Sequence, residues 1–224
     1  MTDLKIASLL KWLIRGKTMT RAMLNIRVSS LAPLNGVTID LGGGGIPSYK
    51  ELIKVNGTFI NMDAIAEARP TIVGDLESTH PFMNEYADSI ILFNTLEHVY
   101  GYQHVISEMF RVLKNGGNAL VYVPFIFPVH MHQTENFLIN DYFRYTEGAL
   151  KKIFDTAGFS SVVVIPQGGL FIVVAEFLGF VAKFRFLRLV ISASCLLLEK
   201  IYRYVHPGIS AERYPLAYFI IATK

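Results

Sequence analysis

Cysteine is almost missing from this chain. Its single instance, Cys195, excludes an internal disulfide and any zinc site built from cysteines. Charge is scarce too: 17% of residues are charged, and the net formal charge is +3. A surplus that small leaves no electrostatic footprint for nucleic acid, and none is expected as a partner. The longest apolar runs stop short of roughly 18 charge-free residues, so a membrane-spanning helix is not the first expectation. No secretory signal is visible, which makes a reducing cytoplasm the expected compartment. Internal repeats are lacking. What the chain has in quantity is apolar surface. At 52% hydrophobic over 224 residues, it has the material for a large core, as one domain with an elaboration.

Apolar runs alternate with helical patterns. "VTIDL" (37–41), "TFINMD" (58–63), "TIVGD" (71–75), "SIILFN" (89–94), "NALVYVP" (118–124), "SSVVVIP" and the closing "PLAYFIIATK" read as seven strands. "SYKELIKV" reads as a helix. So does "YQHVISEMFRVLKNGG", where Val105, Met109, Val112 and Leu113 recur at helical spacing and Gly116 supplies the stop. "TEGALKKIFDTAGF" reads as a third, with Thr146 as its N-cap and Gly158 at its end. The alternation predicts a doubly wound α/β fold around a mostly parallel seven-stranded sheet. The N-terminal "MTDLKIASLLKWLIRGK" reads as a basic amphipathic helix, packed on the domain or lying on a membrane surface. The expected division is an N-terminal helical segment (1–36), an α/β core (37–167), an apolar helical insertion before the last strand (168–213) and the final core strand (214–224).

Four consecutive glycines, 42–45, follow the first strand. Ligands of open parallel sheets bind beyond the carboxyl ends of the strands, and glycine lets a ligand lie against bare backbone there. A dinucleotide fingerprint needs G-x-G-x-x-G, but its sixth position is Pro47. Asp40 places negative charge beside the turn, which repels a pyrophosphate and suits a ligand with ammonium and sulfonium cations. Asp63 could accept from ribose hydroxyls in either class, and Asp75 could meet an adenine amino group or cap a helix.

The stretches "VTIDLGGGGIPSYKELI", "FINMD", "VGDLE", "LFNTLEHV", "FRVLKNGG" and "HMHQTENFLINDYFRYTEGALKKIFDTAGF" resemble the class I S-adenosylmethionine-dependent methyltransferases. Within them, the chain is most similar to small type 11 enzymes of bacterial surface-glycan assembly. Ile46 stands where the pattern D-x-G-x-G-x-G has its third glycine. The resemblance implies a Rossmann-like fold and S-adenosyl-L-methionine as cofactor. Asp40, Gly42 and Gly44 would then line its methionine end, Asp63 would hold the ribose, Asp75 and Leu76 would flank the adenine, and Asn94 would lie near the sulfonium. It also implies a glycan hydroxyl acceptor, small or lipid-linked. A nicotinamide-dependent oxidoreductase and a non-catalytic protein that retains the fold are the alternatives.

A hydroxyl acceptor must lose a proton, and histidine is the obvious base near neutral pH. His98 follows the fourth strand, and His130 and His132 follow the fifth. His98, His130 and Asp141 are therefore the candidate catalytic residues, with His132, Tyr142, Arg144 and Tyr145 as candidate acceptor contacts. Glu97 and His98 beside two further histidines invite a metal, but none is expected, because the methyltransferases this chain resembles that hold a metal near this loop carry a further upstream acid where Asn94 and Thr95 stand here. His80, His104 and His206 receive no role. The segment 168–213 carries Lys183, Arg185, Arg188, Lys200, Arg203 and Arg213 beside two apolar runs. That pattern fits peripheral contact with the cytoplasmic face of a membrane, a lid, or the seam of a homodimer. The glycan resemblance favours the first.

Overall fold

The structure is a computed structural model that describes residues 6–133, 138–207 and 210–224. The chain resolves into two compact units: one comprises 31–124, 128–165 and 219–224, the other 1–30, 125–127 and 166–218.

The first unit holds most of a seven-stranded sheet, whose last two strands each have residues in the other unit. In chain order its strands are β1 (Leu34–Leu41), β2 (Val55–Asp63), β3 (Ile72–Val73), β4 (Ala87–Phe93), β5 (Leu113–Pro124), β8 (Ser161–Gly168) and β9 (Pro215–Thr223). A two-residue antiparallel pair, β6 (His132–Gln133) with β7 (Leu138–Ile139), lies outside it. The spatial order is β3-β2-β1-β4-β5-β9-β8. β1 pairs in parallel with β2 and β4, β2 with β3, and β4 with β5. The sheet is mixed, because β9 runs against its neighbours. Gly116 and Gly117 bond Lys224 near the start of β5, whereas Phe125, just past its end, bonds Leu216. The strand order reverses between β1 and β4, which places the switch point at the carboxyl ends of those two strands. The strands that flank it are apolar on both faces, and Ile39, Leu41, Ile90, Ile91, Leu92, Val121 and Tyr122 are all buried.

Two helices belong to this unit, α3 (Tyr102–Val112) and α4 (Glu147–Thr156). Thr146 caps α4 as the sequence suggests, its side chain accepting from the Ala149 amide. Two expectations change. "SYKELIKV" forms only a 3-10 turn at Lys50–Leu52, because β2 begins at Val55, paired with Leu34, and leaves no length for a helix. α3 ends at Val112 rather than near Gly116, since Leu113 already pairs with Ala87 in β5. Leu113 has helical spacing because it is buried, and burial alone does not tell the last turn of a helix from the start of a strand.

The second unit is helical: α1 (Ile6–Ile14), α2 (Met19–Ser29), α5 (Leu170–Val181), α6 (Arg185–Val205) and α7 (Ser210–Arg213). The helix read over 1–17 is α1, and a second helix that the sequence reading did not separate, α2, follows it within the 1–36 segment. Gly16, at φ +82°, breaks them, and Thr18 caps the second by accepting from the Arg21 amide. Leu9, Leu13, Met19, Ala22, Met23, Ile172, Ala175, Cys195 and Leu196 form its core. Other apolar side chains face outward: Phe180, Val181, Phe184, Phe186, Leu197 and Ile201 are all more than half exposed. Among the described residues no helix is long and apolar enough to cross a membrane.

Candidate functional site

The glycine turn explains its own composition. Gly42 and Gly44 hold φ of +74° and +69°, where an L side chain is strained. Gly43 and Gly45 have ordinary φ but no room. A Cβ on Gly43 would meet Asp40 Oδ2 at 2.1 Å, and one on Gly45 would meet the Ala68 carbonyl oxygen at 1.9 Å. Asp63, at the end of β2, accepts from the Gly44 amide at 2.8 Å and from the Ile65 amide at 2.8 Å. Asn61, two residues earlier on the same face, donates to the carbonyls of Gly44 and Gly45 and accepts from Thr71. Ile46, in place of a third glycine, points to solvent at 88% exposure, so it does not obstruct the turn.

Asp40 is fully buried at the end of β1. Tyr49 donates to its Oδ1 at 2.7 Å, but its Oδ2 has no hydrogen-bond partner among the described residues. Burial pushes its carboxyl up to about 7; the Tyr49 hydroxyl opposes the rise and the charge of Asp63 adds to it. The remaining proposed cofactor residues lie along the same carboxyl edge. Asn94 follows β4 at φ +51°. Asp75 is exposed, and its Oδ1 accepts from the Glu77 amide in an Asx turn rather than capping a helix. Leu76 is buried beside it, its carbonyl held by His80 Nε2 at 3.1 Å.

A second cluster forms just after β4. Glu97 and His98 sit on a 3-10 turn (Leu96–His98), and the chain after β5 brings His130, Asp141 and Arg144 against them. Glu97 is entirely buried, and neither carboxylate oxygen has a hydrogen-bond partner among the described residues. Burial pushes its carboxyl up to about 8. His98 Nδ1 lies 2.7 Å from the Asn140 carbonyl, and burial lowers its pKa, which keeps the imidazole neutral. Asp141 is gripped by both terminal nitrogens of Arg144 and accepts from the His130 amide at 2.8 Å. Burial alone would raise its carboxyl; the Arg144 bonds outweigh that and hold it below the usual range. So held, Asp141 is a weak base and is better suited to orienting His130, whose Nδ1 is 3.2 Å away.

Of the candidate acceptor contacts, Tyr142 is 45% exposed and packs edge-on to exposed Tyr100. Arg144 is occupied by Asp141 and the Pro128 carbonyl. Tyr145 is buried, its hydroxyl donating to the Leu96 carbonyl, which makes it part of the packing. His132 lies in β6, and its side chain falls outside the described residues. The sequence reading missed Tyr49 and Asn61, and noted Glu97 beside His98 without giving it a role. Asn61 carried a signal, an amide two places before an acid on a strand; Glu97 carried one in its adjacency to His98.

Comparison with known proteins bears on the sheet unit most directly. Residues 39–121 match a family model described as a methyltransferase domain. No curated protein matches the sequence. Among solved structures, the chain is similar to Haemonchus contortus phosphoethanolamine N-methyltransferase 2 in complex with S-adenosyl-L-methionine. The identity is 18% and the TM-score 0.56, over 100% of this chain and 57% of that one, so the chain spans little more than half of that relative's length. It is also similar to a putative methyltransferase of Haloferax volcanii solved with the activator Trm112, at 16% identity, TM-score 0.58 and 96% coverage of both chains. A possible histamine N-methyltransferase of Thermotoga maritima matches at 20% identity and TM-score 0.55, over 96% of this chain and 93% of that one. The fold that this chain shares with these structures is a Rossmann-like methyltransferase fold.

Proposed function

We propose that this chain is an S-adenosylmethionine-dependent methyltransferase that methylates a hydroxyl of a lipid-linked or nucleotide-linked glycan at the cytoplasmic face of a membrane. The observation that carries the cofactor is the glycine turn with Asp40 beneath it. A buried carboxylate oxygen without a partner costs free energy unless a cation meets it, and the ammonium of the methionine end supplies one. Asp63 turns its remaining lone pairs to the ribose, and Asp75 with Leu76 borders the adenine. A nicotinamide dinucleotide fits less well, since its pyrophosphate would lie between Asp40 and Asp63.

The bound cofactor supplies an already activated methyl group, so the protein's task is alignment and removal of one proton. His98 or His130 takes the acceptor's hydroxyl proton as its oxygen attacks, and Asp141 steadies His130. Exposed Tyr100 and Tyr142, set edge to face, offer aromatic surface for a sugar ring. The outward apolar residues of α5 and α6, with Lys183 and Lys200 among them, support the membrane reading.

Replacing Asp63 by Ala tests the cofactor assignment. S-adenosylmethionine binding should weaken by about 1.5–3 kcal/mol in a folded protein, the range for hydrogen bonds to a charged group; unchanged affinity would overturn the assignment. For the location, the chain should co-sediment with anionic phosphatidylglycerol vesicles and release with salt. A chain that ignores vesicles but dimerises through α5 and α6 contradicts the membrane reading.

A further inference from the structure

We propose that Glu97, His98 and His130 form a binding site for one divalent transition-metal ion. One candidate ligand atom from each lies within 4.8 Å of those of the other two. Glu97 Oε1 stands 3.8 Å from His98 Nε2 and 3.7 Å from His130 Nε2. Those separations are too long for hydrogen bonds. Ligands about 2.1 Å from a shared ion stand roughly 3–4 Å apart, so a small inward shift closes the set.

Two further observations point the same way. Glu97 is 0% exposed, and neither of its oxygens has a partner among the described residues. A carboxylate in that position is costly unless a cation shares the space. Both imidazoles are also turned so that Nε2 faces Glu97. His98 Nδ1 lies against the Asn140 carbonyl, and His130 Nδ1 lies near Asp141 Oδ2 and, at 3.3 Å, the Pro128 carbonyl. The nearer acceptors at each Nδ1 place the proton there, against the longer 3.5 Å approach of Arg144 Nη2 to His130 Nδ1, which leaves each Nε2 a lone pair. Metal-bound histidines have this arrangement, the second ring nitrogen donating to a carboxylate or backbone carbonyl. Arg144 in turn fixes Asp141.

The donor set selects the ion. Two imidazoles and one carboxylate suit Zn²⁺, Mn²⁺ or Fe²⁺, whereas Mg²⁺ and Ca²⁺ favour oxygen-only shells. Three protein ligands leave positions open for water or an acceptor oxygen. His130, with its side chain 38% exposed, marks the way in. Asn94 and Thr95 add no carboxylate, so the site is an open three-ligand one rather than a closed structural one. The inference needs no bound cofactor, and it replaces the reading of His98 or His130 as the base. With an ion in place, His98 and His130 are ligands, and a hydroxyl bound to the metal is acidified by it.

The test is calorimetric titration of the untagged, metal-stripped chain with ZnCl₂ and with MnCl₂. One equivalent should bind saturably. Glu97→Gln, His98→Ala and His130→Ala should each weaken binding by at least about tenfold with circular dichroism unchanged, and exposed His104→Ala should leave it alone. Cobalt(II) should give a visible absorption band in the wild type that is lost in His98→Ala. If Glu97→Gln does not fold, the two histidine variants decide by the same criteria. No saturable binding, binding that survives loss of the cluster, or an equal loss in His104→Ala would overturn the proposal.

Discussion

The helical unit and the sheet unit each bury carboxylates, and they treat them differently. In the helical unit, Glu176 accepts from the Met19 amide and the Thr20 hydroxyl, both at 2.7 Å, and so caps the start of α2. Glu199 accepts from the Phe171 amide at 2.9 Å and from Arg203, and caps the first turn of α5. Each meets exposed donors of a helix N-terminus, where the helix dipole also favours negative charge. In the sheet unit, Asp40 and Glu97 are as deeply buried but keep oxygens with no partner among the described residues. A satisfied buried acid is a structural device. An unsatisfied one is a cost the fold carries, and a bound cation offsets it. The contrast is the ground on which Asp40 and Glu97 are proposed to meet ligands, whereas Glu176 and Glu199 cap helices.

The largest effect should come from the site. Replacing whichever of His98 and His130 is the base by Ala should lower turnover by about 10²–10⁴-fold with S-adenosylmethionine binding intact. A near-normal rate in both variants would leave alignment alone as the catalyst. In the helical unit, Glu176→Ala should cost about 3 kcal/mol in a denaturant melt, since it strips a helix N-terminus of two charge-assisted bonds. Loss of less than about 1 kcal/mol would erase the distinction between the two kinds of acid.

A pH series sharpens the comparison further. The folded Asp40 carboxyl is raised to about 7 from an ordinary 3.8. Its contribution to stability is therefore complete below about pH 4 and lost as pH rises through 7. The advantage of Asp40→Asn over wild type should open across that window and stay flat above it, reaching at most about 4 kcal/mol. An advantage that shrinks with rising pH would contradict the burial argument. The smallest effect is on the cofactor. Binding needs the ionised form, so wild-type affinity for S-adenosylmethionine should fall about fifteenfold from pH 7 to pH 5.5, and Asp40→Asn should flatten that slope.

The parts of the fold written in contiguous sequence were the legible ones. β1, its terminal Asp40 and the glycines after it form one strand and turn, so pattern and chemistry could be read together. Asp63 and Asn94 were placed correctly at strand ends for the same reason. The helix after the glycines was not legible, because what shortens it is the register of β2 against β1. Tyr145 read as an acceptor contact although its hydroxyl turns inward to Leu96. Glu97 escaped the list of candidate residues because its meaning depends on His130, 33 positions on, and on the way Asp141 and Arg144 fix that ring. The two imidazoles and the acid beside them were visible in sequence, but the burial of that acid between them was not.

The most direct test is calorimetric titration of the wild type and Asp40→Asn with S-adenosylmethionine and with NAD at pH 7.5. The account predicts that the wild type binds S-adenosylmethionine and not NAD, and that Asp40→Asn is at least as stable as wild type yet binds at least about tenfold more weakly. A wild type that binds NAD instead, or an Asp40→Asn variant that binds S-adenosylmethionine as well as wild type, would contradict it.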